Sequence, residues 1–270
     1  MRQVQASVIS NKSFFPGAQR SFDKRFVDIR LIWIECPGIA QEAKPGQFLM
    51  VRCGDLTLPR PLSIHQVKGN GIALFFSVLT EGKGTKWLSD RHPGETFQVF
   101  GPLGKGFSVD NSTRSVLLLA GGMGIAPLHF LAQTVSDKGL RAILLQGART
   151  GKMLYPRNLL STGIEVLNAT EDGTEGKSGM ITSLVKDHAG GVDQIFACGP
   201  VAMYRQMVEN KTALGLEGIA VQVSLETVMG CGHGACYGCT IKTRHGLKQV
   251  CQDGPVFDLD DILWSELAAN

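Results

Sequence analysis

Four cysteines near the end of the chain constrain its fold more than any other feature of the sequence. Cys231, Cys236 and Cys239 follow the spacing C-x4-C-x2-C, and Cys251 comes after eleven further residues. Residues without bulky side chains surround the first three: Gly230, Gly232, Gly234, Ala235 and Gly238. Such residues let backbone N–H groups turn inward toward sulfur atoms. The spacing therefore predicts a tight loop that gathers thiolates around an inorganic centre.

A [2Fe–2S] cluster is the centre that this spacing favours, because C-x4-C-x2-C with a distant fourth cysteine is the plant-type pattern. A structural zinc ion stays open as an alternative, although zinc sites usually combine two short cysteine pairs and only Cys236 and Cys239 form one. A Rieske centre needs two histidines, and His233 is the only histidine in the loop. A disulfide framework suits neither the length of the chain nor its seven cysteines, an odd number. The sequence thus predicts one [2Fe–2S] cluster on Cys231, Cys236, Cys239 and Cys251.

The composition excludes several classes of protein. Hydrophobic residues make up 43% of the 270 residues and charged residues only 19%, which is typical of a globular protein of about two domains and a small module. A net charge of +3 without a dense run of Lys and Arg argues against nucleic-acid binding. The first residues lack the apolar segment of a secretory signal, and no apolar run is long enough to cross a bilayer. We therefore expect a cytoplasmic protein that binds neither nucleic acid nor membrane.

The first part of the chain, up to about residue 110, predicts an antiparallel β-barrel or sandwich. Short β-type runs, separated by glycine and proline, lie at 25–35, 46–52, 71–80 and 96–100. The segment R-P-L-S that begins at Arg60 places a fixed cation and a hydroxyl at the start of a strand. Glycines and Thr85 open a short helix within residues 81–88, a pattern that suits an anion. Each of these two segments either binds a phosphate or closes a turn.

Residues from about 111 to 223 predict a parallel α/β domain. Helical patterns such as 127–136 and 201–214 alternate with apolar strand patterns. The strand patterns lie at 115–120, 141–146, 163–167, 194–197 and 218–223. Five strands joined by crossovers imply a five-stranded parallel sheet that is covered on both faces.

Two glycine-containing turns follow strands of this domain. The first, G-G-M-G-I-A-P from Gly121 to Pro127, is not the usual G-x-G-x-x-G fingerprint. It nevertheless puts glycines between a strand and a helix N-terminus, where a pyrophosphate can approach the backbone. The second, C-G-P from Cys198 to Pro200, follows the fourth strand and should lie at the same edge of a parallel sheet. The alternative is that these turns bind nothing.

Taken in order, the R-P-L-S barrel and the two glycine turns resemble the ferredoxin–NADP reductase superfamily. The cluster loop and the C-x-D-G-P-V-F segment that begins at Cys251 narrow this resemblance to the electron-transfer subunits of NAD-linked (type B) dihydroorotate dehydrogenases. The resemblance covers nearly the whole chain. It implies an FAD-binding barrel at 1–110, an NAD-binding α/β domain at 111–223 and a small [2Fe–2S] module at 224–270.

The resemblance also implies roles for individual residues. Arg60 would contact the FAD pyrophosphate, and Ser63 would lie near the flavin N5 as the catalytic candidate. Other residues that would bind the flavin or its phosphates are Pro61, Leu62, Ser77, Val78, Leu79, Gly84 and Thr85. Residues that would receive the nicotinamide nucleotide are Gly122, Gly124, Cys198, Gly199 and Pro200. Many reductases carry an aromatic residue where Leu62 stands, so the resemblance does not imply ring stacking on that side of the flavin.

The function implied is electron transfer in pyrimidine biosynthesis. Electrons would pass from the flavin of a separate FMN-containing dihydroorotate dehydrogenase catalytic subunit through the cluster and FAD to NAD+, in a heterotetramer of two copies of each subunit. One alternative is an FAD and [2Fe–2S] subunit of a ferredoxin:NADP or sulfide/NADPH oxidoreductase, and another is a zinc-binding interaction module. Arg149 either meets the 2′-phosphate of NADP or is a solvated charge, and the resemblance favours NAD.

The C-terminal segment carries one further pattern. If this segment is helical, its apolar residues form a stripe beside acidic residues; they are Leu259, Ile262, Leu263, Trp264 and Leu267. Such a stripe either packs on its own domain or docks the partner subunit.

Overall fold

The computed structural model describes residues 1–14 and 26–267 of the chain. Its strands are β1 (Arg2–Ser13), β2 (Phe26–Glu35), β3 (Phe48–Val51), β4 (Arg60–Lys68), β5 (Gly71–Leu79), β6 (Thr96–Leu103), β7 (Ser115–Gly121), β8 (Arg141–Ala148), β9 (Ile164–Thr170), β10 (Lys177–Ser178), β11 (Gln194–Cys198), β12 (Ala220–Ser224), β13 (Thr240–Thr243), β14 (Gly246–Gln249) and β15 (Val256–Asp258). Its α-helices are α1 (Pro37–Ala40), α2 (Lys83–Ser89), α3 (Ile125–Asp137), α4 (Val185–Ala189), α5 (Val201–Glu209) and α6 (Val250–Asp253).

The first six strands close into an antiparallel barrel in the order β1-β2-β5-β4-β3-β6. The predicted barrel is therefore confirmed, although Arg25, the first residue of the predicted strand 25–35, lies outside the described residues. The sequence pattern did not predict β1. Its inward residues Ala6 and Val8 are buried, but polar residues dominate the strand and weaken the alternation.

The second part of the chain forms a sheet in the order β10-β9-β8-β7-β11-β12-β15. The predicted parallel strands are all present as β7, β8, β9, β11 and β12. Two short strands extend the sheet beyond the five predicted: β10 is parallel to β9, and β15 is antiparallel to β12. These edge strands have two and three residues, too few for a periodic pattern.

Between β7 and β11 the order of strands reverses its direction. The chain proceeds outward from β7 through β8 and β9 on one side, then returns to place β11 and β12 on the other. Ligands of open α/β sheets bind outside the carboxyl ends of the strands at such a reversal. Both glycine turns leave the sheet there, because one follows β7 and the other follows β11.

The three parts of the molecule share continuous apolar cores. One core joins Met50 of the barrel and Leu119 of the sheet to Cys239 and Cys251 of the C-terminal part. A second core joins Phe75 on the outer barrel wall to the face of the sheet that α3 covers. The barrel interior forms the third core. These shared cores fix the barrel, the sheet and the C-terminal part against one another.

The prediction of a helix in the C-terminal segment is wrong. After β15 the chain continues in turns rather than a helix, and Leu259, Ile262 and Trp264 are at most 7% exposed within the core shared with the sheet. The guanidinium of Arg205 on α5 donates to the carbonyl of Trp264. The apolar residues therefore pack on their own domain, as one of the two expectations held, and the docking alternative for this stripe is not supported.

No helix within the described residues is both long and apolar enough to cross a membrane.

Candidate functional site

The two glycine turns touch each other at the reversal point of the sheet. A Cβ atom at Gly124 would lie 1.8 Å from the carbonyl oxygen of Cys198, so only glycine allows this approach. Gly199 lies against Gly121 in the same way. Gly122 adopts φ +55°, and the space beside its Cα is open. The open space beside Gly122 leaves room for a nucleotide phosphate to approach the backbone of these turns.

A buried tyrosine holds the second turn in place. The hydroxyl of Tyr204 on α5 accepts the N–H of Gly199 at 2.9 Å and donates to the carbonyl of Ser224 at 2.7 Å. Burial raises the pKa of the Cys198 thiol, and the nearby Glu226 carboxylate raises it further. Cys198 is therefore a neutral group at the contact between the two turns rather than a thiolate.

Glu226 is a site residue that the sequence did not single out. Its side chain reaches solvent, yet the protein walls around it desolvate the carboxyl and raise its pKa. It lies close enough to Cys198 and Tyr204 to act on both electrostatically. In the sequence it is one carboxylate after a strand, and nothing in its neighbours marks it. Its position beside the second turn makes it a candidate polar contact for a nucleotide.

The barrel brings Arg60 and the start of α2 together. A Cβ at Gly84 would meet the Nε atom of Arg60 at 2.5 Å, so the guanidinium stem lies directly on the first turn of this helix. Nη1 of Arg60 donates to the carbonyl of Leu58, which orients the cation at the barrel end. The first N–H groups of a helix have no acceptor within it. A fixed cation and free N–H groups at one place suit a phosphate group.

Thr85 closes the connection between β5 and α2. Its hydroxyl accepts the N–H of Leu79 at 3.3 Å and lies 3.4 Å from the carbonyl of Gly82. This places the end of β5, which carries Ser77, Val78 and Leu79, beside the Arg60 cation. Val78 is buried in the barrel, whereas Leu79 is 41% exposed. The flavin-lining residues expected from the sequence thus form one rim with Arg60 and Gly84.

Ser63 lies on β4, on the opposite face from the barrel core. Leu62 and Ile64 pack into the barrel interior, so Ser63 between them points outward. Leu62 stands where many reductases carry an aromatic residue. Here its side chain packs against the barrel core, and Ser63 lies on the outer face. Ser63 pairs with Phe48 of β3 across the sheet.

The four cysteines lie together as two pairs. The side chains of Cys231 and Cys236 hydrogen-bond each other, and so do those of Cys239 and Cys251. Backbone N–H groups point at the sulfurs: Gly234 donates to Cys251 at 3.2 Å, Cys236 to Cys231 at 3.4 Å, and Cys251 to Cys239 at 3.4 Å. In the described part of the chain, no three His, Cys, Asp or Glu side chains converge to hold a single ion. Four cysteine side chains with backbone N–H groups aimed at their sulfurs suit the four-cysteine ligation of a [2Fe–2S] cluster.

The protonation of these thiols also fits a cationic centre. Burial acts to raise the pKa of Cys231, but the N–H groups of His233, Cys236 and Ala235 outweigh it and lower this pKa to about 6. Burial, together with the neighbouring Cys239, raises the pKa of Cys251 to about 12. Four crowded thiolates repel each other, so only a cationic core allows all of them to ionise together. The residues present therefore fit the cluster.

The cluster loop lies against the barrel. A cleft of about 260 Å³ is lined by Cys231 and His233 from the loop and by Met50 and Phe100 from β3 and β6. The rings of His233 and Phe100 meet edge to face at 5.9 Å. Met50 pairs with Pro61 of β4, the strand that carries Ser63. Adjacent strands are about 4.8 Å apart, so one strand separates the cluster loop from the strand that carries Ser63.

A closed barrel, a doubly wound sheet and a four-cysteine loop define a reductase of the ferredoxin–NADP reductase fold. A solved structure, the NADH-dependent reduced ferredoxin-NADP oxidoreductase described for flavin-based electron bifurcation, superimposes with a TM-score of 0.81 at 27% identity over 97% of this chain and 90% of that one. A ferredoxin NADP+ reductase from Neisseria gonorrhoeae with bound FAD and NADP shares the fold with a TM-score of 0.64 at 14% identity, over 80% of this chain and 92% of that one.

Sequence similarity identifies the family within this class. Residues 226–263 match the family model of the iron-sulfur cluster binding domain of dihydroorotate dehydrogenase B. The dihydroorotate dehydrogenase B (NAD(+)) electron transfer subunit of Desulforamulus reducens is 38% identical over 242 residues, which cover 85% of this chain and 90% of that protein. The chain belongs to the family of dihydroorotate dehydrogenase B electron transfer subunits.

Replacing Arg60 with alanine should weaken FAD binding. If Arg60 contacts the FAD pyrophosphate as expected, the substitution removes a charge-assisted phosphate contact of roughly 1.5–3 kcal/mol, or about tenfold to a hundredfold in affinity. The dissociation constant of FAD, measured by flavin fluorescence on apoprotein, reports this change. Arg52→Ala is the matched control, because Arg52 is exposed on the same barrel but lines the cleft beside the cluster loop. If Arg60→Ala bound FAD as tightly as the Arg52→Ala control and the parent protein, the phosphate site would lie elsewhere.

Proposed function

We propose that the chain is the electron-transfer subunit of an NAD-linked dihydroorotate dehydrogenase. It passes electrons from the flavin of an FMN-containing catalytic subunit through a [2Fe–2S] cluster and FAD to NAD+, in pyrimidine biosynthesis. The observation that carries this proposal is the placement of the cluster loop one strand away from the strand of Ser63. The Desulforamulus relative, named as an electron transfer subunit of this enzyme, supports it.

The geometry of the site indicates which residues bind the cluster and FAD in this proposal. Cys231, Cys236, Cys239 and Cys251 ligate the cluster, and backbone N–H groups on their sulfurs stabilise its negative charge. Bound FAD supplies the conversion between a hydride and single electrons. Arg60 and the first turn of α2 hold its phosphates, while Ser63 faces the flavin edge from β4.

The nucleotide is held by the two glycine turns. Gly122 and Gly124 receive its phosphates at the start of α3, and the C-G-P turn forms the opposite wall. Because Cys198 is neutral, its side chain places no negative charge where the hydride is transferred. Glu226 supplies a polar contact at the same place. We assign NAD as the nucleotide because the relative in Desulforamulus is named for NAD(+).

The domain boundaries and the setting of the complex belong to the same proposal. We assign the FAD domain to 1–110, the NAD domain to 111–223 and the cluster module to 224–270. The partner is the catalytic subunit, in a heterotetramer of two copies of each chain, and the complex is cytoplasmic. Apolar side chains exposed around the cluster module, Val228, Tyr237 and Leu247, mark the face toward the catalytic subunit.

A ferredoxin:NADP oxidoreductase subunit is the competing function, because the solved structure with a TM-score of 0.81 comes from such an enzyme. The 38% identity to a dihydroorotate dehydrogenase B subunit, against 27% to that structure, favours the first proposal. The two differ in the partner that exchanges electrons with the cluster.

The purified chain, loaded with FAD and cluster, should oxidise NADH with an artificial one-electron acceptor such as ferricyanide. It holds both the nucleotide turns and the flavin cradle, so this half of the reaction needs no partner. It should not oxidise dihydroorotate by itself. The same assay with NADPH in place of NADH tests the assignment of NAD as the nucleotide. Faster turnover with NADPH than with NADH would contradict the NAD assignment.

A further inference from the structure

A group of buried polar side chains connects β4 of the barrel to α3 of the nucleotide domain. It consists of His65 and Gln66 on β4, His129 on α3 and Tyr155 after β8, and we call it the His65 group. His65 is fully buried, and His129 is only 2% exposed. The two imidazole rings lie 4.5 Å apart. None of these residues holds a cofactor in the site described above.

A β-bulge aims this group at the nucleotide domain. The pairing of β4 with β5 shifts register between Ile64 and Gln66, so His65 is the extra residue. In a regular strand, His65 and Gln66 would point to opposite faces. Here both reach α3, because His65 contacts Ala126 and Gln66 contacts His129. Bulges re-aim side chains in this way, often beside active sites.

The hydrogen bonds of His65 assign its tautomer. Nδ1 lies 2.9 Å from the carbonyl oxygen of Ala126, which can only accept, so Nδ1 carries the proton. Nε2 lies 3.0 Å from the hydroxyl of Tyr155 and accepts its proton. In His129 the two nitrogens have the opposite roles. Nε2 donates to the carbonyl of Leu159 at 3.0 Å, and Nδ1 accepts from the side-chain amide of Gln66 at 3.1 Å. Burial lowers the pKa of both histidines, which keeps this neutral network intact.

The two ends of the His65–Ala126 bond adjoin the two reacting partners. His65 is two residues after Ser63, which faces the flavin edge, and Ala126 is two residues after Gly124 of the nucleotide turn. Around this bond the barrel and the nucleotide domain meet through apolar side chains such as Phe75 and Leu128. Apolar contacts are non-directional, whereas a buried hydrogen bond fixes a geometry.

We infer that His65 is a positioning residue for hydride transfer: its Nδ1–H bond to the Ala126 carbonyl sets the distance between the flavin strand and the nucleotide turn. This inference rests on the proposed function, because it supposes flavin and nucleotide on these two elements. Hydride transfer requires the reacting atoms in near contact, and a misplacement of about 1 Å costs on the order of a hundredfold in rate. His65 acts through the turn and touches neither reactant.

Two substitutions of His65 test the inference: one keeps a hydrogen-bond donor at the position of Nδ1, and the other removes it. His65→Asn keeps an amide N–H at the place of Nδ1, toward Ala126. His65→Gln moves the amide to the place of Nε2, toward Tyr155, and lacks a donor at Nδ1. Asparagine leaves the larger cavity, so a purely packing role for His65 makes the Asn variant the worse of the two. The positioning role predicts the reverse order.

The measurement is the rate of FAD reduction by NADH in anaerobic stopped flow, on full-length chains carrying FAD and cluster. The Gln variant should lose on the order of tenfold to a hundredfold in this rate, while the Asn variant stays within about threefold of the parent. With NADH deuterated at the transferred position, the primary isotope effect should rise in the Gln variant only. The nucleotide dissociation constant, the melting temperature and the flavin content of the two variants serve as controls for binding and folding.

Equal rates in all three proteins, or a slower Asn than Gln variant, would overturn the positioning role. The proposed function fails separately, if the parent protein itself does not reduce its FAD with NADH.

Discussion

Replacing Cys236 with alanine is expected to abolish electron transfer between a dihydroorotate-oxidising partner and NAD+, while the reaction of NADH with ferricyanide continues. The substitution removes one of the four proposed ligands, and alanine cannot bind iron. Cys236 is exposed, so its loss leaves no cavity in the core. The nucleotide turns and the Arg60 cradle belong to other parts of the molecule and are untouched. The measurements are iron and labile sulfide content, near two each per parent chain, and the two activities.

The matched control for this experiment is Cys36→Ala. Cys36 is buried in the barrel interior, 1% exposed, and is remote in sequence from the cluster loop. We expect this variant to lose some stability through its small cavity but to keep the full cluster and both activities. A Cys236→Ala protein with an unaltered cluster would refute the ligand assignment. Loss of the cluster in both variants would mean that the effect is on folding and not on ligation.

The sequence alone predicted those parts of the candidate site that are formed by a single continuous segment of the chain. The cluster loop is an example, because the spacing of Cys231, Cys236 and Cys239 limits how three thiolates can meet. The glycine turns are another, since each follows a strongly apolar strand. Their mutual contact through Gly124 and Cys198 required only that the strands be parallel. The barrel and the sheet could be predicted for the same reason.

Features that depend on register between distant strands could not be predicted. The bulge at His65 arises from the pairing of β4 with β5, and its contact with Ala126 crosses two domains. Glu226 comes close to Cys198 only because β12 ends beside the C-G-P turn. The error in the C-terminal segment has a related cause. Apolar residues at Leu259 and Ile262 fit a helix by spacing, but there each packs into a core formed by other elements.

Combining this chain with an FMN-containing dihydroorotate dehydrogenase catalytic subunit should create an activity that neither protein has alone. The chain has a nucleotide site, a flavin cradle and a cluster loop. The proposed partner supplies the site that oxidises dihydroorotate. Because the cluster loop is close to both the barrel and the exposed face with Tyr237, we expect coupling as soon as the complex forms. The expected change is from no dihydroorotate-dependent reduction of NAD+ to steady turnover.

The assay that tests this claim most directly follows NADH absorbance with dihydroorotate and NAD+ present, for each protein alone and for the two together. Turnover only in the mixture, lost when the Cys236→Ala chain replaces the parent, is the predicted result. Dihydroorotate oxidation by this chain alone, or a mixture that reduces no NAD+ although the chain carries FAD and cluster, would contradict the proposed function.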